Sequence, residues 1–314
     1  MTIMEEKNNI IDVTVLMSTY NGEKFLKEQL NSIFNQTGVR IHLIVRDDCS
    51  TDSTVKILKE YQSKHDGMQI IEGKKNLKPC ASFFELICNN IESDYFALSD
   101  QDDVWDPNKL ICAISKLDKL DNSKPALYFS NLKIVDENNK IFRNLHSVPK
   151  NVNNRYESLV LPAATGCTMV YNKKLAEIAR SIRPKKFSMH DTWLYMVAMF
   201  FGNVVYDFMP HINYRQHGDN VIGTSLNGKN NNMIWREIER FFNRNLQPRY
   251  DNAVEFLREF GQYLNKDDLN KVMEIVNYKR TFRERMILLK DNDFYVEDRK
   301  TRIQNKVLII AGLF

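Results

Sequence analysis

"VTVLMSTYNGEKFLKEQLNSIFNQ" (residues 13–36) decides how the chain begins to fold. The opening residues are apolar or β-branched, the composition of a buried strand. "TYNGE" then interrupts the run with a glycine and polar side chains. From there Phe25, Leu26, Gln29, Leu30 and Ile33 recur at the spacing of one helix face. A strand, a polar turn and an amphipathic helix form the first half of a β-α-β unit.

The unit repeats downstream. "IHLIVRDD" (41–48) reads as a second strand ending in paired aspartates, and "TDSTVKILKEYQSKH" as a helix with Thr51 or Asp52 as its N-cap. "MQIIEG" (68–73) is a third strand, and "CASFFELICNNI" the helix after it. "YFALS" (95–99) is a fourth strand and runs directly into Asp100-Gln101-Asp102-Asp103. "PNKLICAISKLDKL" opens the next helix with Pro107 near its start, where proline is favoured. Strands alternating with helices imply an α/β fold with a largely parallel sheet. Such sheets bind ligands beyond the carboxyl ends of their strands. "STYNGE", "RDDCSTD" and "SDQDD" all fall on that edge.

From about residue 126 the pattern changes. "ALYFSNLKIVD" reads as a strand or hairpin, 143–157 as an Asn-rich polar loop, and "GCTMVYNKKL" as a strand entering a helix. "MHDTWLYMVAMFFG" is an apolar helix, while "NVVYDF" and "HINYRQHGDNVIG" read as closing strands and a loop. After about residue 228 the chain is charged and nearly all helical, which suggests a catalytic unit over 1–228 and a helical region over 229–314.

Composition narrows the class. The 314 residues are 43% hydrophobic, enough to bury a large core. A net charge of +4 is too small and too dispersed to indicate nucleic-acid binding. A basic face meeting anionic lipid or a phosphate-bearing substrate remains compatible with it. Cys49, Cys80, Cys88, Cys112 and Cys167 form no CxxC pair, so neither a zinc site nor a disulfide framework is indicated. "MTIMEEKNNIID" is unlike a signal peptide, and no run reaches the ~20 apolar residues of a membrane span. A cytoplasmic protein with reduced thiols is expected.

The acidic cluster carries the chemistry. Two carboxylates one residue apart at a strand end, Asp100 and Asp102, can present oxygens to one hard cation such as Mg²⁺ or Mn²⁺. An acidic turn capping the next helix explains the same residues equally well. Asp47 and Asp48 could accept from a base imide, or could form an Asx-turn in "DDCSTD". Tyr20 could stack on a planar base, with Ser18 and Thr19 beside it, or "STYNGE" could be an ordinary turn. Asp191 in "SMHDTWLYM" suits a general base as well as a helix cap. His217 in "YRQHGDN" could reach a metal or a phosphate, or could be structural.

Taken in order, "VTVLMSTYNGEKFLKEQLNSIFNQ", "IVRDDCSTDST", "YFALSDQDDVWDPNKL", "TGCTMVYNKKL" and "MHDTWL" resemble the family 2 glycosyltransferases over about residues 13–222. "SDQDDVW" with "YRQHGDNVIG" is similar to the bacterial rhamnosyltransferases of surface-polysaccharide assembly. The resemblance implies a GT-A fold: a Rossmann-like, mostly parallel sheet flanked by helices, here with a C-terminal helical extension. It further implies inverting transfer of one sugar from a nucleotide-diphosphate donor, dTDP-L-rhamnose by subfamily likeness, to a glycan or lipid-linked glycan acceptor. Ser18, Thr19, Tyr20, Glu23 and Asp47 would line the nucleoside pocket, with Asp48 beside it and Asp100 and Gln101 toward the donor. Asp102 would ligate Mg²⁺ or Mn²⁺, supported by Asp103 and His217, and Asp191 would be the catalytic base. His190 stands where the family usually has an acid, and the Q-x-x-R-W motif of processive members is absent.

Two rivals share this chemistry. A non-catalytic nucleotide-sugar or glycan-binding module could dispense with Asp191, and a nucleotidyltransferase would want a Gly- and basic-rich loop after the first strand, where only Gly22 and Lys24 occur. A UDP-sugar donor is a third alternative. "YKRTFRERMILLK" (278–290) and "RKTRIQNKVLIIAGLF" (299–314) mix cations with apolar residues, as inner-leaflet membrane-surface segments do. A helical cap or a homodimer contact explains them as well.

Overall fold

The computed structural model describes residues 10–89, 92–143, 152, 154–161, 163–182, 184–217 and 247–314. "NMIWREIERFFNR", residues 218–223 of "YRQHGDNVIG" and most of the Asn-rich 143–157 segment lie outside these residues.

Each repeat of strand and helix forms as its pattern predicts. β1 (Ile11–Thr19), α1 (Leu26–Phe34), β2 (Val39–Asp47), α2 (Thr54–Gln62), β3 (Met68–Glu72), α3 (Lys78–Ile87) and β4 (Tyr95–Ser99) succeed one another. β1 pairs in parallel with β2 on one side and β4 on the other, and β2 pairs in parallel with β3. The strand order is therefore β3-β2-β1-β4. Its direction of growth reverses between β1 and β4, and a crevice opens at their carboxyl ends.

Side-chain alternation assigns the two faces. Val13, Val15 and Met17 of β1 join Leu26, Leu30 and Ile33 of α1 in one core, with Ala97 of β4. Leu16, Phe96 and Leu98 point the other way, into a core with Phe83 and Leu86 of α3. The helix leaving β1 and the helix entering β4 thus cover opposite faces, as right-handed crossovers on either side of a reversal require.

The sheet is mostly parallel, as expected, and its second half adds three short antiparallel strands. β5 (Val104–Trp105) and α4 (Lys109–Leu117) lead to β6 (Ala126–Val135), which carries the short partner β7 (Ile141–Arg143). β8 (Val170–Asn172) lies antiparallel between β4 and β6, and α5 (Lys173–Arg180) follows it. α6 (His190–Phe201) then feeds β9 (Asn203–Arg215), one continuous strand where the sequence suggested two, parallel to β6. β6 and β9 run in the same sense as β4, so their carboxyl ends meet the crevice. β8 starts at that same edge, as does α6. Five separate segments are thereby delivered to one rim.

α6 is buried on nearly every side, matching a sequence apolar all around the helix. Trp193 packs edge-on to Phe256 of α7 (Pro248–Phe260), and Phe200 lies 4.8 Å from the same ring. α8 (Lys266–Asn277), α9 (Phe282–Lys290) and α10 (Arg299–Ala311) complete the cap. Val272, Tyr278, Leu308 and Phe314 belong to the same apolar core as Leu16 and Phe96. The described C-terminal helices therefore share one core with the sheet. No described helix is long and apolar enough to cross a membrane.

The contact between cap and sheet layer includes two acids, Glu157 in the 3-10 turn Glu157–Leu159 and Glu297. Burial, and then the charge of Glu297, push Glu157 up to about 7. A folded-state value above the unfolded one means that the folded form holds its proton longer, so stability falls as pH rises through that window. Glu157→Gln should raise Tm at pH 8 by about 2 °C and leave it unchanged at pH 4, where both states carry the proton. Paired thermal melts at the two pH values read this directly.

Candidate active site

The rim is assembled from loops tied to one another by their own polar groups. At the crevice, Gln101 brackets the residue after β1: the Tyr20 amide donates to its Oε1 at 2.8 Å, and its Nε2 donates to the Tyr20 carbonyl at 3.1 Å. The glycine at Gly22 makes this possible, since a Cβ there would lie 2.4 Å from Gln101 Oε1. Tyr20 keeps its ring 46% exposed at the mouth, with the Lys78 ammonium 6.0 Å from its centroid.

Of the residues expected to line the nucleoside pocket, several are committed to holding loops. Asp47 is buried and accepts from Thr19 Oγ1 (3.0 Å), Ser50 Oγ (2.6 Å) and the Ser50 amide (2.9 Å). A carboxylate offers about four acceptor positions, so roughly one is left for a ligand. Asp48 is equally buried, paired with Arg46 and accepting from the amides of Leu77 and Lys78 at 2.8 Å each. Glu23 accepts from the Ser53 amide at 2.8 Å, while its own amide donates to Asp52 at 3.1 Å. Asp52 also accepts from the Thr54 amide, but the N-cap of α2 is Ser53 rather than Thr51 or Asp52. Ser18 Oγ lies 2.7 Å from Ser82 Oγ.

The acidic cluster sits where β4 ends. Asp102 Oδ2 lies 2.7 Å from His217 Nε2, two residues past the end of β9. The His217 ring leans on Phe25 at 5.0 Å. Asp103 points inward: Oδ1 accepts from the Arg215 amide at 3.1 Å, and Oδ2 is buried without a hydrogen bond. Ligand atoms of Asp100, Asp103 and Cys167 fall within 4.8 Å of one another. Burial, together with the charges of Asp102 and Asp191, pushes Asp100 up to about 7. Burial, and then Asp102 and Asp100, hold Asp103 well above the usual carboxylate range. A cluster in which two acids resist ionisation, one with a buried orphan oxygen, fits a bound cation. Carboxylate oxygens suit Mg²⁺, and adding the imidazole suits Mn²⁺. Asp106 pairs its carboxylate with Lys133 at 3.0 Å, and its carbonyl accepts from the Lys109 amide at 3.0 Å as α4 begins.

Asp191 stands in the first turn of α6 on the opposite wall. Its Oδ1 accepts from the Thr192 amide at 2.6 Å and its Oδ2 from the Gly166 amide at 3.2 Å. Gly166 has little room for anything larger, since a Cβ would lie 3.2 Å from His190 Nε2 and 3.5 Å from Asp191 Oδ2. His190 is buried and stacks on Phe83 at 4.0 Å, and burial lowers its basicity, so it behaves as a packing residue.

Four contributors gave no usable sequence signal. Arg215 is 1% exposed and donates from Nε to the Asp102 carbonyl (2.8 Å), from Nη1 to the Glu137 carbonyl (2.5 Å) and from Nη2 to Glu28. Lys109 is buried with its ammonium 3.5 Å from the Trp105 ring centroid, and burial draws it down to about 7. Cys167 faces the half-buried Asp100 and the buried Asp103, and Gly166 holds Asp191. All four lie in stretches that carry the resemblance, "YRQHGDNVIG", "YFALSDQDDVWDPNKL" and "TGCTMVYNKKL", but nothing there sets them apart from their neighbours.

Residues 14–178 match the sequence profile of Glycosyl transferase family 2. Among curated proteins, the chain is 32% identical to the dTDP-rhamnosyl transferase RfbG of Shigella flexneri over 230 residues, covering 68% of this chain and 75% of that one. It is 25% identical over 223 residues to the uncharacterized glycosyltransferase RT0329 of Rickettsia typhi, covering 68% of this chain and 67% of the relative. Among solved structures, residues 1–349 of S. aureus TarS with UDP-GlcNAc superpose with a TM-score of 0.55 at 17% identity, over 96% of this chain and 91% of that one. The mannosyltransferase PcManGT of Pyrobaculum calidifontis, in complex with GDP-Man and Mn²⁺, gives 0.52 at 14% identity, over 97% and 86%. The fold is that of these GT-A glycosyltransferases, and the matched profile together with the likeness to RfbG establishes that this chain belongs to glycosyl transferase family 2.

Proposed function

We propose that the protein is an inverting, metal-dependent glycosyltransferase that moves one L-rhamnose from dTDP-L-rhamnose onto a growing surface glycan or lipid-linked glycan. The observation that carries this reading is that adjacent residues link the two acidic groups: the Gly166 amide donates to Asp191 at 3.2 Å, and the Cys167 thiol lies within 4.8 Å of carboxylate oxygens of Asp100 and Asp103. A site for the donor's diphosphate and a base for the acceptor then face one another across a single crevice. The rhamnosyl donor is supported by the likeness to RfbG.

The residues act in sequence. Tyr20 offers its exposed ring to the base, and the remaining acceptor position of Asp47 suits an imide N–H of thymine. Asp102 and His217 would hold Mg²⁺ or Mn²⁺, and such an ion, when bound, offsets the negative charge that grows on the departing diphosphate. Asp103 and Arg215 support this wall from beneath: the Arg215 amide fixes the Asp103 carboxylate, and its guanidinium holds the Asp102 carbonyl. Asp191 accepts the proton of the acceptor hydroxyl as that oxygen attacks the anomeric carbon opposite the leaving group. Its Oδ2 carries a single long amide hydrogen bond and keeps a lone pair available.

Asp191→Asn keeps the hydrogen bond from Thr192 but cannot take a proton. Transfer should fall by about 10²–10⁴-fold while calorimetric donor affinity changes little, and comparable turnover would remove Asp191 as the base. A non-catalytic binding module predicts no turnover even in the wild type. Asp102→Ala and His217→Ala should weaken donor binding in the presence of Mn²⁺ and leave metal-free binding unchanged. If titrations with and without Mg²⁺ or Mn²⁺ coincide for the wild type, the metal assignment fails. A panel of dTDP-, UDP- and GDP-sugars settles the donor: selective turnover of dTDP-L-rhamnose is expected, and preference for a UDP-sugar refutes it.

A further inference from the structure

The end of the chain carries a surface that the transfer reaction does not use. Along α10, Ile303, Val307 and Ile310 follow one another at i, i+4 and i+7 and are 50%, 41% and 53% exposed. The opposite face, Gln304, Asn305, Leu308 and Ile309, is buried. The helix is thus built backwards: two polar residues lie inside, and three branched apolar residues look outward. Cations edge the outward stripe, with Lys300 three residues before Ile303 and Lys306 three residues after it. From Arg299 to Phe314 there are four basic residues and no acidic one. On α9, Phe282 is 69% and Ile287 42% exposed, next in sequence to Arg283 and Leu288 respectively. Beside the stripe opens a cavity of about 270 Å³ with Leu288, Phe294 and Phe314 in its walls and Arg302 and Lys306 among its lining.

We infer that α9 and α10 form a docking surface for an anionic phospholipid bilayer, on which α10 lies in the interfacial plane. An interfacial helix buries an apolar face shallowly among the acyl chains while lysines at its edges reach the headgroups. The stripe and its two lysines have that arrangement, and at 13 residues the helix is too short to cross a bilayer. Charge selects the occupant. Each lysine or arginine near an anionic surface adds about 1 kcal/mol of attraction, and α10 carries four of them against one acid, its N-cap Asp298, which offsets part of the pull on Lys300 and Arg302. A second copy of the same face would instead set Lys300 and Lys306 near their own counterparts across a two-fold axis, with no acid on α10 beyond that N-cap to pair them.

The test uses the full chain and vesicles of equal parts phosphatidylcholine and phosphatidylglycerol, compared with phosphatidylcholine alone. Co-sedimentation is expected with the anionic vesicles only, decreasing with added salt. Ile303→Asp combined with Ile310→Asp, and separately Lys300→Glu combined with Lys306→Glu, should each reduce the bound fraction at least ~10-fold. These residues are exposed, and unchanged circular dichroism and thermal melting certify that the variants remain folded. Absence of wild-type binding to anionic vesicles overturns the inference, as does equal binding to both vesicle types or undiminished binding by the variants. A concentration-dependent dimer in sedimentation velocity that Ile303→Asp dissolves also overturns it, because the stripe is then covered by a second copy. None of these outcomes depends on the identity of the transferred sugar.

Discussion

The constraint on which this structure turns is mutual repulsion among carboxylates that the fold forces together. Asp100, Asp102 and Asp103 arrive from the end of one strand, and Asp191 from a helix more than eighty residues downstream. Burial removes the water that would screen them, and the protonation of Asp100 and Asp103 responds to that loss. A sheet that needed only a turn after β4 would gain nothing from this arrangement. It becomes favourable when positive charge is supplied, and the protein supplies only part of it. Arg215 and Lys109 approach from below and behind, yet Arg215 directs its guanidinium at carbonyls and at Glu28, and Lys109 is buried against Trp105.

The topology explains why these groups can meet at all. Strand order reverses between β1 and β4, so the helices diverge to opposite faces and leave the rim uncovered. The antiparallel entry of β8 then brings a chain start, rather than a chain end, to the same rim. Gly166 consequently arrives beside the first turn of α6, where its amide steadies Asp191. A purely parallel continuation would have placed that turn at the far edge of the sheet.

Most of the first half was legible because its signals are local. Period-two and period-3.6 hydrophobic patterns place β1 to β4 and their helices within a few residues, and acidic clusters at strand ends are visible as text. The strand directions of the second half were not legible, since β8 is three residues long and its pairing is decided by tertiary packing. For the same reason the sequence could nominate Asp47, Asp48 and Glu23 as ligand-facing but not reveal how fully they are engaged by neighbouring amides. A carboxylate's partners are set by loops that meet only in the folded chain. Arg215 and Lys109 escaped notice because burial of a cation leaves no trace in spacing.

Those loops also hold conformations that would not persist alone. Asn21, Cys49 and Lys78 all have positive φ, at 47°, 68° and 69°, and all three lie on the ligand rim. Asparagine tolerates this region readily, whereas cysteine and lysine each give up about 1 kcal/mol or more. The compensation is visible in each case. The Asn21 amide donates to Ser50 Oγ and its side chain accepts from the Thr51 amide. Cys49 donates its thiol to the Gly73 carbonyl, and the Lys78 amide is held by Asp48. Asp48 therefore has a structural role that precedes any contact with donor: it sets the loop entering α3, and with it the position of the Lys78 ammonium near the Tyr20 ring. The rim is shaped before a ligand arrives, its strained residues held by hydrogen bonds from neighbouring loops. Binding then has less conformational entropy to remove, which is the physical advantage of building a site from loops that constrain one another.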